Sequence, residues 1–228
     1  MALESLLLTR DPQVEHTVRP ALEKLSVRVD ICHTSQAGSE LLLRDKFDAV
    51  ILDCDDLQGG LGLLETLRRG TSNKTSVAFA ILNGTSTHKA FELGANFVLQ
   101  KPISPLNAVR CFSAALGFME RERRRYFRHP IKMPVTLSFA DKQIKAEATN
   151  LSEGGMAVHF PGTLPKDVLS KIAFTLPGTH TSMEPKAQVA WADAFGRAGL
   201  RFVDVPQSSR EQLDRWLTEE LKKLDAAK

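Results

Sequence analysis

The chain has 228 residues, 43% of them hydrophobic and 25% charged, with a net charge of +3. That size suits two domains that each bury a core, and the composition excludes a disordered or fibrous chain. The charge is uneven: up to Phe118 there are 12 basic and 13 acidic residues, and after it 18 and 14, so the basic surplus lies in the second half. No apolar run approaches the roughly 20 residues of a membrane span, and residues 1–10, with Glu4, do not make a signal peptide, so the expected location is the cytoplasm without membrane insertion. Cys32, Cys54 and Cys111 are scattered, with no CxxC or Cys/His cluster, which predicts reduced thiols and neither a disulfide frame nor a metal site.

From Glu4 onward, short apolar runs alternate with helical periodicity. Strands are predicted at 5–8, 27–31 and 47–52, with helices at 13–25 and 38–45 between them. This β-α-β-α rhythm argues for a parallel sheet with helices on both faces. Ala49-Val50-Ile51-Leu52 is continuously apolar, as a strand covered on both sides must be, and it delivers Asp53 at its carboxyl end, where such sheets place their sites. A helix at 61–69, a strand at 77–82, a helix at 88–93 and a strand at 96–99 follow. The last strand ends in Lys101-Pro102, and a closing helix is predicted over 105–119.

Over residues 3–118 this half is similar to the receiver domain of response regulators. The resemblance is carried by Phe47-Asp48-Ala49-Val50-Ile51-Leu52-Asp53 and Gly94-Ala95-Asn96-Phe97-Val98-Leu99-Gln100-Lys101-Pro102. It implies a flavodoxin-like, doubly wound sheet in a domain at 1–118, with Asp53 at the phosphoacceptor position and Lys101 at the phosphate-contacting one. The family also holds Mg²⁺ on two acids after the first strand. Here Thr9 and Arg10 follow Leu8 instead, Asp11 comes a step late, and Asn83 replaces the usual Ser or Thr. Without that acid pair a divalent cation loses most of its oxygen ligands, and Arg10 is expected to offer Asp53 a salt bridge. The reading is a domain that no longer takes phosphate, with Asp53 and Lys101 as a relict pair, serving homodimerisation or partner docking.

The closing helix runs without a Gly/Ser linker into Arg123-Arg124-Arg125-Tyr126-Phe127-Arg128, read as a flexible basic arm. Five arginines lie within 121–128. A planar guanidinium bonds bidentately to phosphate or to a guanine edge and stacks on bases, so the arm suits a small anionic ligand better than duplex DNA. Asn150-Leu151-Ser152-Glu153-Gly154-Gly155 follows, with an amide and a hydroxyl two residues apart. Its paired glycines suit positive φ or a close ligand approach. Six β-rich runs at 135–139, 144–149, 156–160, 171–176, 186–191 and 198–203 predict a small barrel. Trp191 and Phe202 are assigned to its core. Ser208-Ser209-Arg210-Glu211 opens a C-terminal helix whose Leu213, Trp216, Leu217, Leu221 and Leu224 recur at helical spacing.

Residues 119–228 resemble the PilZ domain family, bacterial receptors for the second messenger cyclic di-GMP. Arg124-x-x-x-Arg128 matches its RxxxR element and Asn150-x-Ser152-x-x-Gly155 its (D/N)xSxxG element. The resemblance implies a six-stranded β-barrel with a C-terminal helix. It also implies ligand contacts from Arg124, Arg128, Asn150, Ser152 and Gly155, while Arg123, just ahead, goes with two stacked ligand molecules. The expected function is a non-enzymatic cyclic di-GMP receptor acting through an unidentified protein partner, without a cofactor. The alternatives are a PilZ-like adaptor that does not bind nucleotide and a phosphorylation-responsive regulator. No catalytic set, P-loop or helix-turn-helix is present, so neither enzyme chemistry nor direct DNA binding is expected.

Overall fold

The computed structural model describes residues 3–56, 59–84, 86–165 and 168–226, and the chain divides into two compact units at Arg123/Arg124. The first unit contains β1 (Leu3–Leu8), α1 (Pro12–Glu23), β2 (Val27–Cys32), α2 (Ser35–Arg44), β3 (Ala49–Asp53), α3 (Gly60–Arg69), β4 (Val77–Leu82), α4 (Thr87–Glu92) and β5 (Phe97–Gln100), and α5 (Pro105–Tyr126) continues past its end. The five strands pair in parallel in the order β2-β1-β3-β4-β5. This is the doubly wound, receiver-like order, and its direction reverses between β1 and β3, which opens a crevice at their carboxyl ends. Every residue of β3 and β4 is buried. Their side chains alternate between two apolar layers, one built around Leu52, Leu64 and Ala80 and the other around Ile51, Phe79 and Phe112.

The closing helix is longer than its apolar pattern predicts. Glu122, 5% exposed, accepts hydrogen bonds from the Lys46 ammonium at 2.7 Å and the Thr75 hydroxyl at 2.6 Å, which ties its turn to the body of the unit. No glycine or proline lies between Gly117 and Pro130 to end the helix, and Arg and Glu are good helix formers. Arg123, Arg124 and Arg125 are therefore on the last helical turn rather than on an extended arm, where cations complement the helix dipole.

The second unit holds β6 (His129–Ser138), β7 (Gln143–Ser152), β8 (Gly155–His159), β9 (Lys171–Thr175), β10 (Ser182–Met183), β11 (Lys186–Ala192), β12 (Arg197–Asp204) and α6 (Gln207–Ala226). The sheet order is β10-β9-β11-β12-β8-β7-β6, and β9 also pairs with β6. Those six long strands close into an antiparallel barrel, and the two-residue β10 is an extra strand on β9 that the sequence pattern does not announce. Leu137, Leu151, Val158, Ile172, Ala198 and Leu200 fill the interior. Leu213, Trp216 and Leu217 of α6 join the same core, and the Trp216 indole N–H donates to the Pro177 carbonyl at 3.0 Å. Phe202 packs against this core and stacks on Phe174. Among the described residues, no helix is long and apolar enough to cross a membrane, and the three thiols are free.

Candidate functional site

Strand register builds one face of the barrel. A bulge between Ala148 and Asn150 re-phases β7, so that Leu151 enters the core and its neighbours Asn150, half-buried, and Ser152, buried, take the opposite face of the strand. Two rows then cross four strands, one running Ser152, Gly155, Arg201, Gln188 and the other Asn150, Ala157, Gly199, Trp191. A cavity of about 630 Å³ lies on this face, and Arg125, Tyr126 and Arg128 also line it. Its size is that of a small-molecule site.

The motif residues take distinct roles. The Asn150 side-chain carbonyl accepts from the Ala157 backbone N–H at 3.1 Å, which fixes the amide and leaves its two N–H groups as the available donors. The Ser152 hydroxyl donates to the Gly155 carbonyl at 3.0 Å and closes the β7–β8 turn, so toward a ligand it can only accept. Gly155 does not have the positive φ that paired glycines suggest. It is needed because a Cβ there would lie 2.0 Å from the Leu200 carbonyl oxygen and force β8 away from β12.

The arginines do not act as a block. Arg125 and Arg128 are exposed and line the cavity. Arg124 instead places its Nε 3.1 Å from the Asp214 carboxylate on α6 and is absent from the cavity lining. Successive helical side chains point about 100° apart, so neighbours on this turn must diverge. Arg123 is the last residue of the first unit, half-buried, and its charge helps to keep the buried Asp48 carboxyl ionised. The structure thus brings Arg128, Asn150, Ser152 and Gly155 together, adds Arg125, and gives Arg124 another partner. Trp191 corrects the sequence reading: it is 51% exposed and lines the cavity instead of filling the core. The bulge between Val189 and Trp191 turns it outward.

The other predicted site lies at the carboxyl ends of β1 and β3. Asp53 is fully buried, and one carboxylate oxygen accepts the Thr9 hydroxyl at 2.8 Å and lies 2.8 Å from the Lys101 ammonium. Lys101 also bonds Asp11 at 2.9 Å, and Asp11 caps α1 through the Gln13 N–H. Burial pulls the Lys101 pKa down, but hydrogen bonds to Asp53 and Asp11 outweigh it and the net shift is upward. The bond to Lys101 holds the Asp11 carboxyl below its usual value. Arg10 does not reach Asp53: its guanidinium donates to the Asp56 carbonyl and its backbone N–H to the Asp56 carboxylate at 2.6 Å. The other Asp53 oxygen has no hydrogen-bond partner among the described residues. Nor do those residues contain a cluster of three His, Cys, Asp or Glu able to hold a metal ion. The residues present therefore do not fit the Mg²⁺ of the receiver family.

The PilZ domain family model matches residues 122–219. The transcriptional activator protein PfeR of Pseudomonas aeruginosa is 33% identical over 101 residues, 43% of this chain and 33% of that protein. The chain thus spans about a third of the length of that curated relative. Among solved structures, the receiver domain of the sensor histidine kinase PA1611 from P. aeruginosa aligns at 19% identity over 51% of this chain and 99% of that one, with a TM-score of 0.46. The chemotaxis response regulator CheY4 of Vibrio cholerae aligns at 17% identity over 51% of this chain and all of its own, with a TM-score of 0.47.

Proposed function

With a PilZ domain over residues 122–219, we propose that this chain is a cytoplasmic receptor for cyclic di-GMP that passes the signal on by protein contacts, its receiver-like unit taking no phosphate. The observation that carries the reading is the cavity on the barrel's outer face, where two exposed guanidinium groups, Arg125 and Arg128, meet the Asn150 amide donors. Phosphodiester oxygens accept charge-assisted bonds from such donors, each worth about 1.5–3 kcal/mol. Calorimetric titration tests it: wild-type protein takes up cyclic di-GMP saturably, and Arg128→Ala weakens uptake at least about tenfold. An adaptor that works without nucleotide gives no heat with either.

For the receiver-like unit, the supporting observation is that Thr9 and Lys101 already occupy one oxygen of Asp53, with no acid pair beside it. Incubation with acetyl phosphate and Mg²⁺ is expected to leave no acid-labile phosphate on the protein. Labelling at Asp53 would favour the phosphorylation-responsive regulator instead.

A further inference from the structure

We infer that Glu122 is a positioning residue for the cavity: held by Lys46 and Thr75, it fixes the rotation of the last turn of α5 and with it the direction in which Arg125 is presented. This rests on the reading of the cavity as a cyclic dinucleotide site and concerns a side chain outside the cavity lining.

Glu122 is the last residue of α5 with a buried side chain. One carboxylate oxygen takes both of its bonds, from Lys46 Nζ and from the Thr75 hydroxyl. Lys46 also donates to the Ser76 hydroxyl at 2.8 Å, which in turn donates to the Phe47 carbonyl at 2.7 Å. Lys46 and Ser76 stand just before β3 and β4, so the carboxylate is tied through them to the two fully buried strands. Charge-assisted bonds of this kind are short and directional, and a carboxylate that left them would be buried without a partner.

Residues three and four apart share one face of a helix. Arg125 and Tyr126 stand three and four places after Glu122, and they are the two α5 residues that line the cavity. A slip of one residue, about 100°, would bring Arg124 to the direction that Arg125 takes. Little else holds this turn. The last carbonyls of a helix have no intrahelical donors and its end frays readily. The Arg124–Asp214 pair touches the same turn but is partly exposed, where an ion pair contributes little. The anchor at Glu122 therefore keeps the turn in the form that meets a ligand, and uptake does not have to order it first.

The test is a set of double-mutant cycles on the full chain, read by calorimetric titration with cyclic di-GMP: Glu122→Ala and the milder Thr75→Val, each alone and combined with Arg125→Ala or with Arg128→Ala. Glu122→Ala is expected to weaken uptake about three- to tenfold, because the competent turn becomes a fraction of the population. Thr75→Val removes a single bond to the carboxylate and weakens uptake less, and it carries the same cycles should Glu122→Ala fail to fold. In both cases the loss disappears when Arg125 is already alanine and persists when Arg128 is. A residue that served stability alone would give the same loss in every background. That result, wild-type affinity in both anchor variants, or wild-type affinity in Arg125→Ala would overturn the positioning role while the receptor reading survives. No uptake by the wild-type protein would overturn both.

Discussion

The carboxyl end of the parallel sheet and the outer face of the barrel both gather charged side chains, yet the two are balanced differently. Around Asp53 the protein supplies its own counter-charge, with Lys101 shared by two carboxylates and the Thr9 hydroxyl closing on the same oxygen. On the barrel, Arg125 and Arg128 line the cavity with no carboxylate paired to them among the described residues. A buried charge set that is internally matched has little bonding capacity left for a ligand, and removing one member strands an uncompensated charge. Cations left without a partner beside a cavity contribute little to folding and leave their full bonding capacity to an arriving anion. Similar residue types are thus paired with one another in one unit and left open beside a cavity in the other.

The largest effect should come from opening the matched set. Lys101→Ala strands Asp53 in a buried setting and should destabilise the first unit by about 3–5 kcal/mol in denaturant unfolding. The pH dependence has a definite sign. Asp11 is held below its usual value, so its contribution is present above about pH 4 and fades as pH falls through its folded value. Lys101 is raised, so its contribution is present below about pH 10 and is lost as pH rises through its folded value. A variant that unfolded like wild type would show that the cluster is not structural.

Next is Arg128→Glu, which places a carboxylate in the cavity. Cyclic di-GMP affinity should fall by about a hundredfold, with little change in melting temperature because the residue is exposed. Loss of stability without loss of uptake would invert the comparison between the two sites.

Asp48 gives a third, smaller effect. Its buried carboxyl is pushed up to about 6, chiefly by burial, although it accepts the Glu4 backbone N–H and is near Arg123 and Lys46. The folded state holds this proton to higher pH than the unfolded chain does. Asp48 therefore favours folding most below about pH 4 and loses that advantage as pH rises through about 6. Asp48→Asn should flatten stability across that window and add on the order of 2 kcal/mol at pH 7, read from unfolding curves at several pH values. The smallest effect should come from Asp214→Asn. Its pair with Arg124 is partly exposed, so stability should change by less than about 1 kcal/mol. Freed from Asp214, Arg124 becomes available to anions, and calorimetry should show a gain of a few-fold in nucleotide affinity.

Much of the architecture could be read from the chain alone. The uninterrupted apolar run Ala49-Val50-Ile51-Leu52 marks a strand covered on both faces, and it is one. Six β-rich runs mark a barrel, and six long strands close it. The site was harder to read, for specific reasons. Which of Arg124 and Arg125 faces the cavity depends on helical phase, and the apolar pattern that announces α5 stops at Met119, before either of them. Whether Trp191 points inward depends on a bulge that shifts strand parity by one residue, and such insertions have no compositional signature. Thr9 carried no expectation, yet it follows β1 at the crevice beside β3, so strand order alone would have pointed to it.

The two tryptophans of the chain have opposite surroundings in the same barrel. Trp216 is 6% exposed, with its N–H bonded to a carbonyl, whereas Trp191 is half exposed in the cavity. On the reading of the cavity as a ligand site, occupancy is expected to quench the emission of Trp191 and to leave that of Trp216, packed in the core under α6, unchanged. The unmodified protein would then carry its own optical gauge of occupancy, one indole reporting and the other serving as an internal standard.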